Sequence, residues 1–201
     1  MINEVLSYLE ELIPNPKCEL NYNKDYELLI AVMLSAQTTD KRVNIVTKEL
    51  FSKYDNLDKL SNASLKDIES IVKTLGNYTK KSKAVIEIAK QVKEWGYVPN
   101  NRGLLESLPM VGRKTVSVFL SQIYQEPNIA VDTHVERVSK RLGLARKKAD
   151  VLEVERSLKR KVPKDLWCDT HLRMVHFGRY YCTAKRPNCE TCKLNSICNY
   201  K

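Results

Sequence analysis

Four cysteines close to the C-terminus, Cys182, Cys189, Cys192 and Cys198, are spaced C-x6-C-x2-C-x5-C. A C-x-x-C turn brings two sulfurs to the same side and the flanking pair closes the shell, so thiolates in this pattern suit a single metal centre. Iron–sulfur clusters and structural zinc both use such ligands. Between the first two cysteines, the tethered loop Thr183 to Asn188 presents Lys185 and Arg186, a cation pair suited to a phosphate backbone or simply to solvent. Cys18 and Cys168 lie outside the cluster, at positions where a small buried hydrophobe would serve, and are assigned no role.

A second constellation is Leu108-Pro109-Met110-Val111-Gly112-Arg113-Lys114-Thr115, a tight turn between a short helical segment and a longer one. The amides that open the second helix have no intrahelical partner, and such amides bind phosphate. Lys114 stands in that first turn, where an isolated lysine is ordinarily a solvated charge. Asp132 follows 18 residues later and opens another helix, where an aspartate ordinarily serves as a cap.

The chain carries 34 Lys and Arg against 24 Asp and Glu, a net charge of +10, which favours a polyanionic partner and nucleic acid first. Its N-terminus, MINEVLSYLEELIP, has acids among the apolar residues and no small-residue cleavage site, so it is not read as a signal peptide. The longest apolar run, Leu28 to Leu34, is far short of the ~20 residues that cross a bilayer. A cytoplasmic protein without membrane contact is expected. Thiols stay reduced there, so six cysteines suggest metal ligands before disulfides.

The elements that must hold these residues are helical. Ile2, Val5, Leu6, Leu9, Leu12 and Ile13 recur at helical spacing, as do Val85, Ile88, Ala89 and Val92, and no segment sustains alternation. Asp25 to Ser35 has the continuous apolar character of a helix buried on most sides. Ser64 with Asp67 resembles a capping box opening a short helix through Val72. Further helices are expected over Thr79 to Glu94, Arg102 to Ser107, Gly112 to Tyr124, Thr133 to Leu142, Asp150 to Lys161 and Lys164 to Phe177, with Gly and Pro at their joints.

The stretches Tyr26 to Asp40, Val111 to Thr115, Ile129 to His134 and His176 to Tyr180, together with the cysteine spacing, resemble the endonuclease III family, the bacterial helix-hairpin-helix DNA glycosylases with a C-terminal 4Fe-4S cluster. The resemblance covers nearly the whole chain. It implies an all-α fold of two helical lobes with a cleft between them. Residues 21–130 would form the central domain carrying the hairpin, and residues 1–20 with 131–201 the iron–sulfur domain.

The same resemblance implies a monomeric, nucleoid-associated enzyme acting on double-stranded DNA that contains damaged bases or abasic sites. It would excise oxidised pyrimidines and cleave the abasic site by β-elimination. Lys114 matches the family's nucleophile, favoured as a neutral amine by Arg113 and the electropositive helix end, and Asp132 matches the aspartate that orients it. Gln37 matches a residue inserted into the duplex when a nucleotide is flipped out. Asn77, Tyr78, Val111, Gly112, Arg113, His134, Lys185 and Arg186 complete the expected DNA contacts, and Arg137 lies one turn beyond His134. Cys182, Cys189, Cys192 and Cys198 match the cluster ligands.

Two positions depart from the family pattern. Met110 replaces a hairpin glycine, so the turn is either strained or re-formed around an allowed conformation. Asn77 replaces an apolar wedge residue, which bears on lesion preference. Two other readings compete: a monofunctional adenine-mismatch glycosylase, and a non-catalytic DNA-binding iron–sulfur protein. Against the first, Lys114 is present and the Ala31 to Thr38 segment has no Glu.

Overall fold

The computed structural model describes residues 1–200. In chain order the helices are α1 (Ile2–Leu12), α2 (Asp25–Leu34), α3 (Asp40–Lys53), α4 (Leu57–Ser61), α5 (Leu65–Val72), α6 (Tyr78–Trp95), α7 (Arg102–Glu106), α8 (Arg113–Tyr124), α9 (Thr133–Arg141), α10 (Val151–Lys161) and α11 (Trp167–His176). A 3-10 turn (Lys164–Leu166) precedes α11 and a π-helical turn (Phe177–Tyr181) follows it. No strand occurs among the described residues, so the fold is all-α as expected. The chain divides into two compact units, one formed by Cys18–Tyr124 and the other by Met1–Lys17 with Gln125–Lys201.

In the Cys18–Tyr124 unit, α2 is the axis. Every residue from Tyr26 to Leu34 is buried, and α3, α6 and α8 pack around it. Its continuous apolar run suits a helix with no solvent face. The buried Glu27 is satisfied by the Asn23 amide at 2.7 Å. Helices α3 and α4 lay outside the expected set. In α3 only Val43, Val46, Thr47 and Leu50 are buried, a stripe at i, i+3, i+4 and i+7 hidden within a charged sequence. Helix α5 corrects one expectation: Ser64 makes no side-chain cap. Asp67 instead accepts from Lys53 Nζ at 2.6 Å and from the Tyr54 hydroxyl, so it cannot reach back to close a capping box.

The second unit packs Val5 and Leu9 of α1 with Val135 and Val138 of α9, Val154 and Leu158 of α10, and Met174 of α11. Asp150 and Glu153 form a complete capping box at the start of α10. The helix expected from Lys164 to Phe177 is present and runs without a gap from Lys164 to Tyr181, but it changes type along its length. It begins as a 3-10 turn after Pro163 and ends in the π turn, closed by the Cys182 amide donating to Phe177 O at 2.7 Å. Cys18 and Cys168 are half-buried rather than buried, and the Cys168 thiol donates to Glu126 O at 3.4 Å. No helix among the described residues is long and apolar enough to cross a membrane.

Because α2 is enclosed on all sides, its core contacts are difficult to replace. Leu29→Ala, at a position with no solvent exposure, is expected to cost about 3 kcal/mol. Urea unfolding checks this: the midpoint falls while the slope stays constant.

Candidate functional site

The turn between α7 and α8 is built on apolar anchors. Leu105, Leu108 and Val111 are buried, and the Val111 amide donates to Leu108 O at 3.2 Å. Pro109 precedes Met110, whose φ is +61°, the proline-then-left-handed pattern of a type II turn. Of the two conformations open to Met110, the structure therefore shows the strained one, with the side chain turned partly to solvent. The turn delivers Gly112, Arg113 and Lys114 exposed at the start of α8. Their first-turn amides point away from the helix body, as an anion site requires.

Asp132 opens α9 as a true cap. Its Oδ1 accepts from the amides of His134 at 2.9 Å and Val135 at 2.8 Å. His134 is half-buried against Gly178, where an added Cβ would lie 2.8 Å from His134 Cβ. Arg137 stitches this contact. It donates to Gly178 O at 2.7 Å and to Cys182 O at 3.3 Å, and its Nη2 lies 3.2 Å from His134 Nδ1. Asp132, His134 and the first cysteine thus belong to one packed assembly, whereas Gln37, Asn77, Tyr78 and the hairpin belong to the Cys18–Tyr124 unit.

Gln37 and Asn77 are exposed and both adopt left-handed backbone, with φ of 61° and 57°. Asparagine tolerates that region better than an apolar residue does, a local reason for its presence at position 77. Tyr78 follows, 44% exposed, at the start of α6. One residue that the sequence reading missed links the two turns. Lys81 is 1% exposed, and its ammonium donates to Leu34 O at 2.9 Å and Ala36 O at 2.8 Å, while its amide donates to Asn77 O at 3.0 Å. Burial holds this lysine below the usual range. The signal was available: Lys81 lies on the same stripe as Val85, Ile88 and Val92.

Cys182, Cys189, Cys192 and Cys198 border one cavity, with Tyr8, Phe177, Tyr181 and Arg141 in its wall. Among the described residues, no three His, Cys, Asp or Glu side chains converge on a point suited to a single metal ion. The four thiols line this shared space, a donor set of the kind that metal centres use. Lys185 and Arg186 are exposed on the loop between the first two cysteines. Arg141, buried beside the cavity, was also missed by the sequence reading. Beyond it, α9 and α10 border a cleft of about 1340 Å³ lined by Arg137, Lys140, Arg141, Arg146, Lys147, Arg156, Arg160 and Lys161, against Glu136 and Glu153.

A helical fold with a glycine-bearing hairpin and a C-terminal four-cysteine centre has a counterpart among known proteins. A family model described as HhH-GPD superfamily base excision DNA repair protein matches residues 30–164. The chain is 47% identical over 195 residues to endonuclease III of Bacillus subtilis, covering 96% of this chain and 89% of that protein. It superposes on a non-covalent endonuclease III–DNA complex with TM-score 0.94 and 44% identity, over 98% of this chain and 94% of the other. A trapped endonuclease III–DNA covalent intermediate gives TM-score 0.93 and 43% identity, over 99% and 96%. The chain belongs to the endonuclease III family within the HhH-GPD superfamily.

Two predictions follow from the local conformations. Met110→Gly removes a left-handed side-chain penalty at little cost in packing, so stability rises by about 1 kcal/mol, measured as a shift in the urea midpoint. For His134, burial pulls its pKa below the ordinary 6.5, Arg137 and Arg179 add to the effect, and Asp132 opposes it. The unfolded chain therefore takes up this proton first. The stability is present above about 6.5 and is lost as pH falls through the lower folded value. His134→Gln should accordingly lose less stability than the wild type between roughly pH 7 and pH 5. Parallel losses in the two proteins would exclude His134 as the cause.

Proposed function

We propose that the chain is a base-excision repair DNA glycosylase with abasic-site lyase activity, acting on oxidised or otherwise damaged pyrimidines in double-stranded DNA. The observation that carries this reading is a lysine exposed at the first turn of α8, directly after the hairpin, in a chain 43% identical to a protein trapped as a covalent intermediate with DNA. A covalent intermediate requires a nucleophile, and the exposure of Lys114 in the first turn of α8 supports that role for it. Backbone amides of Gly112 to Lys114, at the start of α8, hold the phosphates beside it.

In this mechanism the Lys114 amine attacks C1′ of a flipped-out nucleotide. The glycosidic electron pair leaves with the base, the amine loses its protons, and ring opening gives a C1′ Schiff base. Loss of a C2′ proton then expels the 3′ phosphate by β-elimination, and water releases the lysine. By the family resemblance Asp132 would steady the cation that develops at C1′, and its Oδ1 is held by the two α9 amides. Gln37 and Asn77 fill the gap in the duplex, while His134, Arg113, Lys185 and Arg186 meet the backbone.

Cys182, Cys189, Cys192 and Cys198 would hold a 4Fe-4S cluster. The donor set and the shared cavity fit that group. When bound, the cluster supplies structural cross-linking of the C-terminal segment and keeps the Lys185–Arg186 loop in place. The enzyme works as a monomer on nucleoid DNA in the cytoplasm.

Borohydride reduction on an abasic-site duplex tests the chemistry. Wild-type protein gives a covalent adduct and Lys114→Ala gives none; an equal adduct from Lys114→Ala would refute the assignment. Asp132→Asn separates cap from catalyst, because Asn caps as well as Asp does. Its thermal midpoint should stay near wild type while single-turnover excision falls by about a hundredfold or more.

A further inference from the structure

Arg141 occupies the last turn of α9, with 9% of its surface exposed. Its guanidinium meets the start of the cysteine segment through several donors. Nη1 donates to Thr183 O at 2.7 Å and lies 3.4 Å from Cys182 O and 3.3 Å from Cys182 Sγ. Nη2 donates to Ala184 O at 3.0 Å. The same residue meets the end of the segment. Its carbonyl accepts the Asn199 amide at 2.7 Å and lies 3.3 Å from Cys198 Sγ, and the Tyr200 ring covers its guanidinium at 3.8 Å. Gly143, at φ +68°, makes room for Asn199, whose Nδ2 would lie 2.6 Å from an added Cβ.

We infer that Arg141 is the positioning residue that closes the cysteine segment into a loop and retains its metal centre. The inference rests on the reading that the four cysteines hold an iron–sulfur cluster. Residues 182–184 and 198–200 are the two free ends of that loop, and Arg141 touches both. Arg137, by contrast, reaches only the first end, through Cys182 O. Four thiolates bring negative charge, and a fixed guanidinium one hydrogen bond from a ligand sulfur offsets part of it. The planar fork is essential to the geometry. It serves three successive carbonyls and presents a flat face to Tyr200, which a lysine ammonium cannot do. Opening either end would expose the cluster to water and chelators without touching Lys114 or Asp132.

The test compares purified wild type, Arg141→Lys, Tyr200→Leu and the same-helix control Lys140→Ala, all as holoprotein. Iron release to a ferrous chelator is followed by loss of the cluster's visible absorbance. Arg141→Lys should release iron about tenfold faster than wild type or more. Tyr200→Leu should shift in the same direction by less, and Lys140→Ala should match wild type. A second readout locates the effect: trypsin cleavage after Lys185 accelerates in Arg141→Lys, while cleavage after Lys147 or Lys148 does not. Wild-type release and wild-type cleavage in both Arg141→Lys and Tyr200→Leu overturn the inference. An Arg141→Lys protein that folds but cannot be loaded supports it, and if that variant does not fold, the release rate of Tyr200→Leu decides. Wild-type protein that binds zinc and no iron would instead refute the cluster reading, before any variant is compared.

Discussion

Much of the Gln125–Lys201 segment depends on how closely α9 approaches Gly178. A side chain there would press on the His134 backbone, since an added Cβ would stand 3.3 Å from His134 Cα as well as 2.8 Å from its Cβ. Only with that space empty does Arg137 reach the carbonyls of Gly178 and Cys182. One helix of nine residues, about 14 Å long, then carries two tasks at its two ends. Its N-terminus stabilises the Asp132 carboxylate, and its C-terminus, where cations are favoured, carries Arg141 against the cysteine loop. Displacement of α9 would disturb both together.

The Cys18–Tyr124 unit meets a different requirement, that of presenting side chains from turns. Three of its residues, Gln37, Asn77 and Met110, take left-handed backbone without being glycine. Such conformations persist only where the surroundings over-determine them. For Gln37 and Asn77 the determinant is Lys81, a buried cation that satisfies carbonyls at the end of α2 and is held by the backbone that follows Asn77. For Met110 it is the pair of buried anchors, Leu108 and Val111, on either side of the turn. The strain lies at the positions that the family resemblance assigns to DNA, which suits preorganised contacts better than mobile ones.

How much of this was legible in the sequence follows from how each signal arises. The enclosed α2 was legible because nine successive residues share one environment, and the cysteine spacing because thiolate geometry needs few assumptions. Helix α3 was hidden by its exposed charges, although its stripe of Val43, Val46 and Leu50 has the correct period. The Ser64 capping box was a false signal: the spacing was right, but Asp67 had better partners in Lys53 and Tyr54, residues brought near only by the fold. Arg141 and Lys81 were missed for one reason. Neither belongs to a motif, and only its register marks it: each sits on the apolar stripe of its helix, beside Val138 and Val85 respectively. A charge in register with a buried stripe is informative, because burial without partners would be prohibitive and the partners must therefore exist.

The distribution of charge sharpens what a net value of +10 can mean. Total charge favours polyanions without saying where they bind. In the structure, many cations are occupied internally. Lys81 serves a helix end, Arg137 and Arg141 serve the cysteine loop, and Lys140 and Lys159 pair with Glu136 and Glu155. These contribute to the field but have little freedom to follow a ligand. Lys185 and Arg186 differ, since they stand exposed on a loop whose ends are fixed by cysteines and by Arg141. A cation on a tethered loop loses less conformational entropy on meeting a phosphate than one on a free tail. On the proposed function, the cysteine centre and Arg141 would thus contribute to DNA recognition without touching the reacting atoms, by fixing in advance the geometry of two charges.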